Sequence, residues 1–148
     1  MATREVLFDV DMLRHDASSP PGYVANGGRP YLTFTHTVDS IFYIGFRLPG
    51  DFVGTPAMDF EWSGDASTTT SDTVAWSVEV MKSTGDTDGS PVADNYGTAN
   101  TVSDDILGTT AGRHQIASCS LANFQSAVAG DMVWFRGRRD VSADDLAE

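Results

Sequence analysis

Alternation of apolar and polar residues with a period of two runs through most of this chain. The segment 42–48 is the clearest case, because its even-numbered residues are all apolar. Successive side chains of a strand point to opposite faces of a sheet, so this period predicts β-strands. Pro49-Gly50 ends that strand, since proline lacks an N–H and glycine permits a tight reversal. The pattern predicts short strands that fold back on one another.

The same criterion predicts the elements along the rest of the chain. Ala17–Pro30 is rich in serine, proline and glycine and predicts a long loop, and Leu121–Ala129 predicts one helical turn ended by Gly130. The predicted strands are Val6–Val10, Leu32–Thr35, Ile41–Leu48, Met58–Trp62, Val74–Met81, Thr101–Leu107, Arg113–Leu121 and Met132–Arg138.

Short strands with almost no helical periodicity predict an all-β fold, an antiparallel two-sheet jelly-roll-like sandwich in a single domain. Long loops between strands favour crossovers between sheets, and an immunoglobulin-like Greek key is the alternative. Residues 1–30 form an N-terminal strand and extended loop in this prediction, and residues 31–148 form the sandwich. The residues predicted to face the core are Phe46, Leu48, Phe60, Trp62, Val74, Trp76, Val78 and Val133.

Charge and hydropathy exclude several partners. The 148 residues carry 21 acidic and 9 basic side chains, a formal charge of -12. Such a field repels a nucleic-acid backbone. No apolar run approaches the roughly 20 residues that span a bilayer, and the N-terminus shows no secretory signal. We therefore expect neither nucleic acid nor a membrane as a partner.

Arginine clustering is the second feature of the charge pattern. Eight of the nine basic residues are arginine, and Arg136, Arg138 and Arg139 lie together near the C-terminus. Clustered guanidinium groups in an otherwise acidic chain are suited to ion pairs between subunits. Solvated charges at the end of a strand are the alternative.

Candidate chemistry is sparse. His15, His36 and His114 lack metal-ligand spacing, and the single cysteine, Cys119, lies in an alternating strand, where a small buried apolar residue is expected. Residues 84–95 resemble part of a calcium loop, but Asn95 stands where a bidentate glutamate is required. Three tryptophans could form a sugar-stacking platform, but their strand positions favour the core. We expect no cofactor and no catalytic site.

Two motifs carry a resemblance to a known family. The first motif consists of Phe46, Pro49, Phe52 and Gly54, followed by strands that contain Phe60-Glu61-Trp62 and Val74–Val78. The second motif is Gly130-Asp131, followed by residues 133–136 and Arg139-Asp140. Together they resemble small jelly-roll structural proteins of tailed bacteriophages, which are capsid cement (head-decoration) or fibre-type domains. The resemblance covers about residues 31–140. Similar proteins continue into one more apolar strand, which either Val6–Val10 or a neighbouring subunit would have to replace.

The resemblance implies a non-enzymatic virion protein, made in the cytoplasm of the bacterial host, that binds the major capsid protein or another virion protein. A cement protein on the capsid surface, acting as a homotrimer, is the leading interpretation. A tail or baseplate fibre component and a carbohydrate-binding module are the alternatives. We expect residues 1–30 to contact the underlying shell or a neighbouring subunit. The predicted interface residues are Arg4, Arg14, Arg136, Arg138 and Arg139.

Overall fold

The computed structural model describes residues 6–26, 29–64, 72–83, 95–106 and 112–145. These residues form an all-β, antiparallel structure, and the one helical element among them is a 3-10 turn, Val10–Met12. The strands are β1 (Arg14–His15), β2 (Gly22–Asn26), β3 (Arg29–Thr33), β4 (Ile41–Arg47), β5 (Ala57–Trp62), β6 (Thr73–Ser83), β7 (Asn100–Asp105), β8 (Gln115–Ser120) and β9 (Met132–Arg139).

Five strands form the largest sheet, in the order β1-β4-β9-β6-β7. The last strand, β9, lies in the centre and pairs with β4 and β6 over most of its length. The remaining strands form two antiparallel pairs, β2 with its neighbour β3 and β5 with β8, which is distant in the chain. All of this pairing is antiparallel, as the sequence predicts.

The core lies between the five-stranded sheet and the β5–β8 pair. The ring of Phe60 from β5 stacks on Trp76 from β6, with centroids 4.9 Å apart and planes at 8°. Phe42 meets Phe60 edge-on, and Phe34, just beyond β3, meets Trp76 edge-on. The indole N–H of Trp62 donates to Asp104 Oδ2 at 2.8 Å, which joins β5 to β7.

The predicted core positions are confirmed. Seven of the eight named residues are buried, and Phe46 is partly buried and packs against the same cluster. Cys119 is fully buried, as expected for a small apolar strand residue.

Two aromatic side chains lie over glycines of the β4–β9 pair, one on each face of the sheet. Phe42 lies opposite Gly137 on the core side, and Trp134 lies opposite Gly45 on the outer side. A Cβ at either glycine would overlap the facing ring. The missing side chain therefore makes room for the ring of its partner strand.

The N-terminal strand Val6–Val10 is a wrong prediction. Residues 6–9 lie outside any strand, and Val10 begins the 3-10 turn. The Asp9 side chain accepts from Asp11 N and its carbonyl accepts from Met12 N at 2.9 Å. Aspartate favours such local hydrogen bonds over strand pairing, so the alternation there does not produce a strand.

The prediction of a long loop at Ala17–Pro30 is also wrong for the second half of that segment. Strands β2 and β3 form a hairpin from Gly22 to Thr33, with Pro30 opposite Ala25. Proline is tolerated because a two-stranded sheet consists only of edge strands.

Two further predictions near the C-terminus are wrong. Residues 121–129 form turns rather than a helical turn, because Gln125 and Ser126 take left-handed φ values of 55° and 52°. Trp134 lies on the outer face, opposite Gly45 and Met81, and not in the core.

The glycine–aromatic contacts make a testable prediction. Gly137→Ala should lower the free energy of unfolding by about 1–3 kcal/mol, because the new methyl group overlaps the Phe42 ring in a packed core. Chemical denaturation measures the change.

Gly50→Ala is the matched control, since no atom lies within 4 Å of the position of its added Cβ. A second variant, Gly137→Ala with Phe42→Leu, should recover part of the loss. Equal effects of the two glycine substitutions would contradict the packing argument.

Candidate interaction surface

Four arginines share the outer face of the five-stranded sheet, the face turned away from the core. One row of directly paired residues crosses β1, β4, β9 and β6, and it consists of Arg14, Tyr43, Arg136 and Glu79 in that order. Directly paired residues of antiparallel strands present their side chains on the same face. The adjacent row on that face contains Arg138, and Arg47 lies two rows away on the other side, beyond the Gly45–Trp134 row. We call these four arginines the arginine face.

Arg136 is held in the centre of the arginine face. It forms an ion pair with Glu79 of β6, and its guanidinium carbon lies 4.5 Å from the centroid of the Tyr96 ring. Tyr96 is also 6.3 Å from Tyr43 in a tilted arrangement. A guanidinium over an aromatic face is attracted by the ring quadrupole, so Arg136 is fixed by charge and by stacking.

Arg138 lies one row further along. Its Nη1 is 3.4 Å from Asp39 Oδ2, and the other oxygen of Asp39 accepts from Val141 N at 3.0 Å. Asp39 therefore connects the segment before β4 with the segment after β9. Both guanidinium groups in the middle of the face are thus engaged within the chain.

Arg139 differs from its neighbours because it lies on the core side. Its side chain is 5% exposed, and it donates through Nε and Nη2 to the two oxygens of Asp144, at 2.5 and 3.1 Å. Its Nη1 donates to the Phe34 carbonyl at 3.3 Å. Arg139 anchors the C-terminal segment in this fold, so it does not belong to the arginine face, although the sequence analysis named it as an interface residue.

Arg14 and Arg47 are the exposed members of the arginine face. Both lie at the same side of the sheet, Arg14 in the edge strand β1 and Arg47 at the end of β4. The sequence analysis named Arg14 but missed Arg47, which the alternation of Tyr43, Gly45 and Arg47 could have revealed. Arg4 lies outside the described residues.

The sheet edge beside Arg47 is open over part of its length. Strand β1 pairs only with Tyr43 and Phe42, and beyond that point the described residues supply no strand partner on the side of β4 that faces away from β9. Leu48 N donates toward the β9 side, to Asp131 O, whereas Ile41 N donates to Ser19 O on the other side. Backbone groups alternate in an antiparallel strand, so those of Gly45 and Arg47 point to the open edge.

Asp16 fixes the chain where it leaves β1. One carboxylate oxygen accepts from Ser18 Oγ at 2.5 Å, Ser18 N at 2.8 Å and Ser19 N at 3.0 Å, and the other accepts from the Tyr43 hydroxyl at 3.1 Å. The hydrogen bond from the Ser18 hydroxyl, followed by the backbone donors, lowers the pKa of Asp16 from 3.8 to about 2.

The N-terminal part of the chain exposes apolar side chains. Among the described residues, large exposed hydrophobic side chains are most frequent between positions 6 and 31. Those within that range are Val6, Leu7, Met12, Tyr23 and Tyr31, and those outside it are Val38, Val53, Ile116 and Val128. Leu7 is 79% exposed, although its neighbour Phe8 packs on Phe46 with ring centroids 5.2 Å apart.

The other features of the described residues give weaker evidence for a functional site. No group of three or more metal-ligating side chains occurs within the described ranges, and no helix there is long and apolar enough to cross a membrane. His114 forms an exposed pair with Glu61 at 3.2 Å. Burial raises the pKa of the Cys119 thiol, which disfavours the reactive thiolate. A shallow depression of about 290 Å³ is lined by Thr98 and residues 122–126, and it is open and polar.

No family model, curated protein or solved structure matches this chain.

The Arg139–Asp144 pair makes a prediction about stability. Asp144→Ala should lower the free energy of unfolding by about 3–5 kcal/mol, because it leaves a buried guanidinium without its partner. Urea unfolding followed by tryptophan fluorescence measures the loss.

Glu61→Ala is the control, since it breaks an exposed pair, for which a change below about 1 kcal/mol is expected. If the two variants lose similar stability, Arg139 does not anchor the C-terminal segment.

The low pKa of Asp16 predicts how the stability of the fold depends on pH. Its pKa is lower in the folded state, so its contribution to stability is complete above pH about 4 and is lost as the pH falls toward about 2. Asp16→Asn should therefore be less stable than the wild type at pH 6, and the difference should shrink on acidification to pH 2. Thermal unfolding across this range measures both curves.

Ser18→Ala removes the largest single cause of the pKa shift and should give an intermediate curve. A constant difference between wild type and Asp16→Asn from pH 6 to pH 2 would refute the assignment.

Proposed function

We propose that this chain is a non-enzymatic virion structural protein of a tailed bacteriophage, most specifically a capsid cement protein. It acts as a homotrimer on the capsid surface and binds the major capsid protein. The sequence motifs that resemble small phage structural proteins are the origin of this proposal. A tail or baseplate fibre component is the alternative within the same class.

The fold proposed for this role is a jelly-roll-like sandwich. The five-stranded sheet supplies one layer, and β5–β8 supplies part of the second across the Phe60–Trp76 stack. Phe34 brings the end of the β2–β3 hairpin to the same core. The non-sequential strand order requires crossovers between layers, which are typical of jelly rolls.

The observation that carries the functional proposal is the exposure of apolar side chains near the N-terminus, in the segment that leads to Phe8, which packs on Phe46 of β4. Val6 and Leu7 are 47% and 79% exposed, and they directly precede Phe8, which is partly buried against the core. Contiguous exposed apolar surface and open strand edges are both features of association sites. This location agrees with the expected contact between residues 1–30 and the shell.

A carbohydrate-binding module receives less support. Such a module would present two or more aromatic side chains on one concave face. Tyr23 and Tyr31 are exposed, but Tyr23 is opposite Leu32 and Tyr31 is opposite Val24, so they occupy opposite faces of the hairpin. The Tyr96 ring is covered by Arg136.

The proposal predicts that apolar N-terminal residues hold the protein on the particle. Val6→Ser with Leu7→Ser should reduce its affinity for virions at least tenfold, because burial of each side chain contributes about 1.5–3 kcal/mol. Virions that lack the protein are incubated with purified wild type or variant, and occupancy and resistance to heat are then measured.

Val53→Ser is the matched control, since Val53 is 61% exposed but lies outside the N-terminal part. Both variants should retain the stability of the wild type. Unchanged occupancy of the Val6/Leu7 variant would exclude this segment as the anchor, and failure of the wild type to bind virions of the phage that encodes it would refute the proposed function.

A further inference from the structure

The 3-10 turn Val10–Met12 presents its residues to solvent. None of its three residues is buried, and Met12 is 58% exposed. The turn is closed by its backbone, because the Asp9 carbonyl accepts from Met12 N at 2.9 Å and the Val10 carbonyl accepts from Leu13 N at 3.2 Å. A hydrogen-bonded backbone therefore fixes the position from which Met12 faces solvent.

The β2–β3 hairpin brings Tyr23 to the same turn. Its hydroxyl donates to Asp11 Oδ1 at 2.7 Å, and the residue is 47% exposed. This hydrogen bond, followed by desolvation and by the charges of Asp11 and Asp9, raises the pKa of the Tyr23 hydroxyl. Both carboxylates therefore lie near Tyr23. We call the following five residues the N-terminal patch: Leu7, Asp9, Asp11, Met12 and Tyr23.

The N-terminal patch combines exposed apolar area with negative charge. Leu7, which lies two residues before the start of the turn at Asp9, is 79% exposed. Asp9 and Asp11 are also exposed. Among the residues that the structure describes, no arginine, lysine or histidine forms an ion pair with either carboxylate.

The nearest arginine in the sequence does not cancel this charge. Arg14 lies on the outer face of the sheet, in one row with Tyr43, whose hydroxyl donates to Asp16. The pKa of Asp16 is about 2, so its carboxylate is ionised at neutral pH. Residues 9–16 therefore contain three carboxylates and one guanidinium group, and the region is acidic.

Burial of the apolar side chains of the patch would also remove water from its carboxylates. Covering Leu7 and Met12 is favourable by about 1.5–3 kcal/mol each. Removing an unpaired carboxylate from water costs several kcal/mol, and a cation offsets that cost only when it is well placed. A purely apolar partner would therefore be disfavoured at Asp9 and Asp11. The partner surface must supply apolar area and positive charge together.

We propose that the N-terminal patch docks into an apolar depression bordered by lysine or arginine side chains on the protein shell of the virion. This inference rests on the proposed function and deepens it, because it names the chemistry of the partner surface. Leu7 and Met12 supply the apolar contact, and the two carboxylates accept hydrogen bonds from the cations at its border. Complementary charge sets the orientation of the encounter.

Two further observations favour this partner. The Tyr23 hydroxyl holds Asp11 before binding, so less side-chain freedom is lost on contact. A second copy of this chain is a poor occupant of the patch, because its formal charge of -12 repels the carboxylates.

Neutralising the two carboxylates tests the proposal. Asp9→Asn with Asp11→Asn keeps the side-chain oxygens that accept hydrogen bonds in the turn and removes only the charge. Virions that lack the protein are incubated with labelled wild type or variant at several salt concentrations. We expect the dissociation constant of the variant to be at least about tenfold higher at low salt, and its dependence on salt to be weaker.

Met12→Ser separates the apolar contribution from the charge. It should also weaken binding to virions, because it removes apolar area from the contact. The salt dependence should stay that of the wild type, since both carboxylates remain. A Met12→Ser variant with wild-type affinity would overturn the docking of this patch.

Asp59→Asn with Asp105→Asn is the matched control, because it changes the net charge equally at two exposed carboxylates outside the patch. It should bind like the wild type, and denaturant unfolding verifies that each variant is folded. Equal binding of the wild type and the Asp9/Asp11 variant, or equal losses in the two double variants, would overturn this inference and leave the proposed function intact. A wild type that does not bind virions would overturn the proposed function and this inference together.

Discussion

The pairing of β9 between β4 and β6 is the constraint on which the rest of this structure depends. Because β9 is the central strand, its register decides which side chains enter the core and which reach the outer face. Two aromatic–glycine contacts hold that register from both sides, Phe42 with Gly137 and Trp134 with Gly45. A shift by one residue would exchange the two faces and expose the core set, so the register is strongly specified.

The same register divides the C-terminal arginines into two roles. Arg138 and Arg139 are adjacent in sequence, so they point to opposite faces, and only Arg139 becomes a buried anchor for Asp144. The outer arginines are then graded in exposure, from the centrally held Arg136 to the exposed residues at the sheet edge. A chain with a formal charge of -12 in this way gathers four of its arginines on one face of a sheet.

The sequence predicted the composition of the candidate surface only in part. It predicted that the arginine cluster and the N-terminal segment belong to this surface. It could not place Arg14 and Arg136 in one row, because that row depends on pairing between strands that are distant in the chain. It also gave no sign that Trp62 and Asp104 meet, since their hydrogen bond joins two separate sheets.

The strands from β4 to β9 and their inward faces follow from the sequence alone, because alternation with a period of two is a local property of each segment. That is why the core positions from Leu48 to Val133 are confirmed. Only the tertiary structure decided where alternation fails and what each strand pairs with. Asp9 diverts the first segment into a 3-10 turn, and Pro30 enters a hairpin that the sequence predicted as a loop. Both outcomes depend on whether a partner strand satisfies the backbone, and a local pattern does not contain that information.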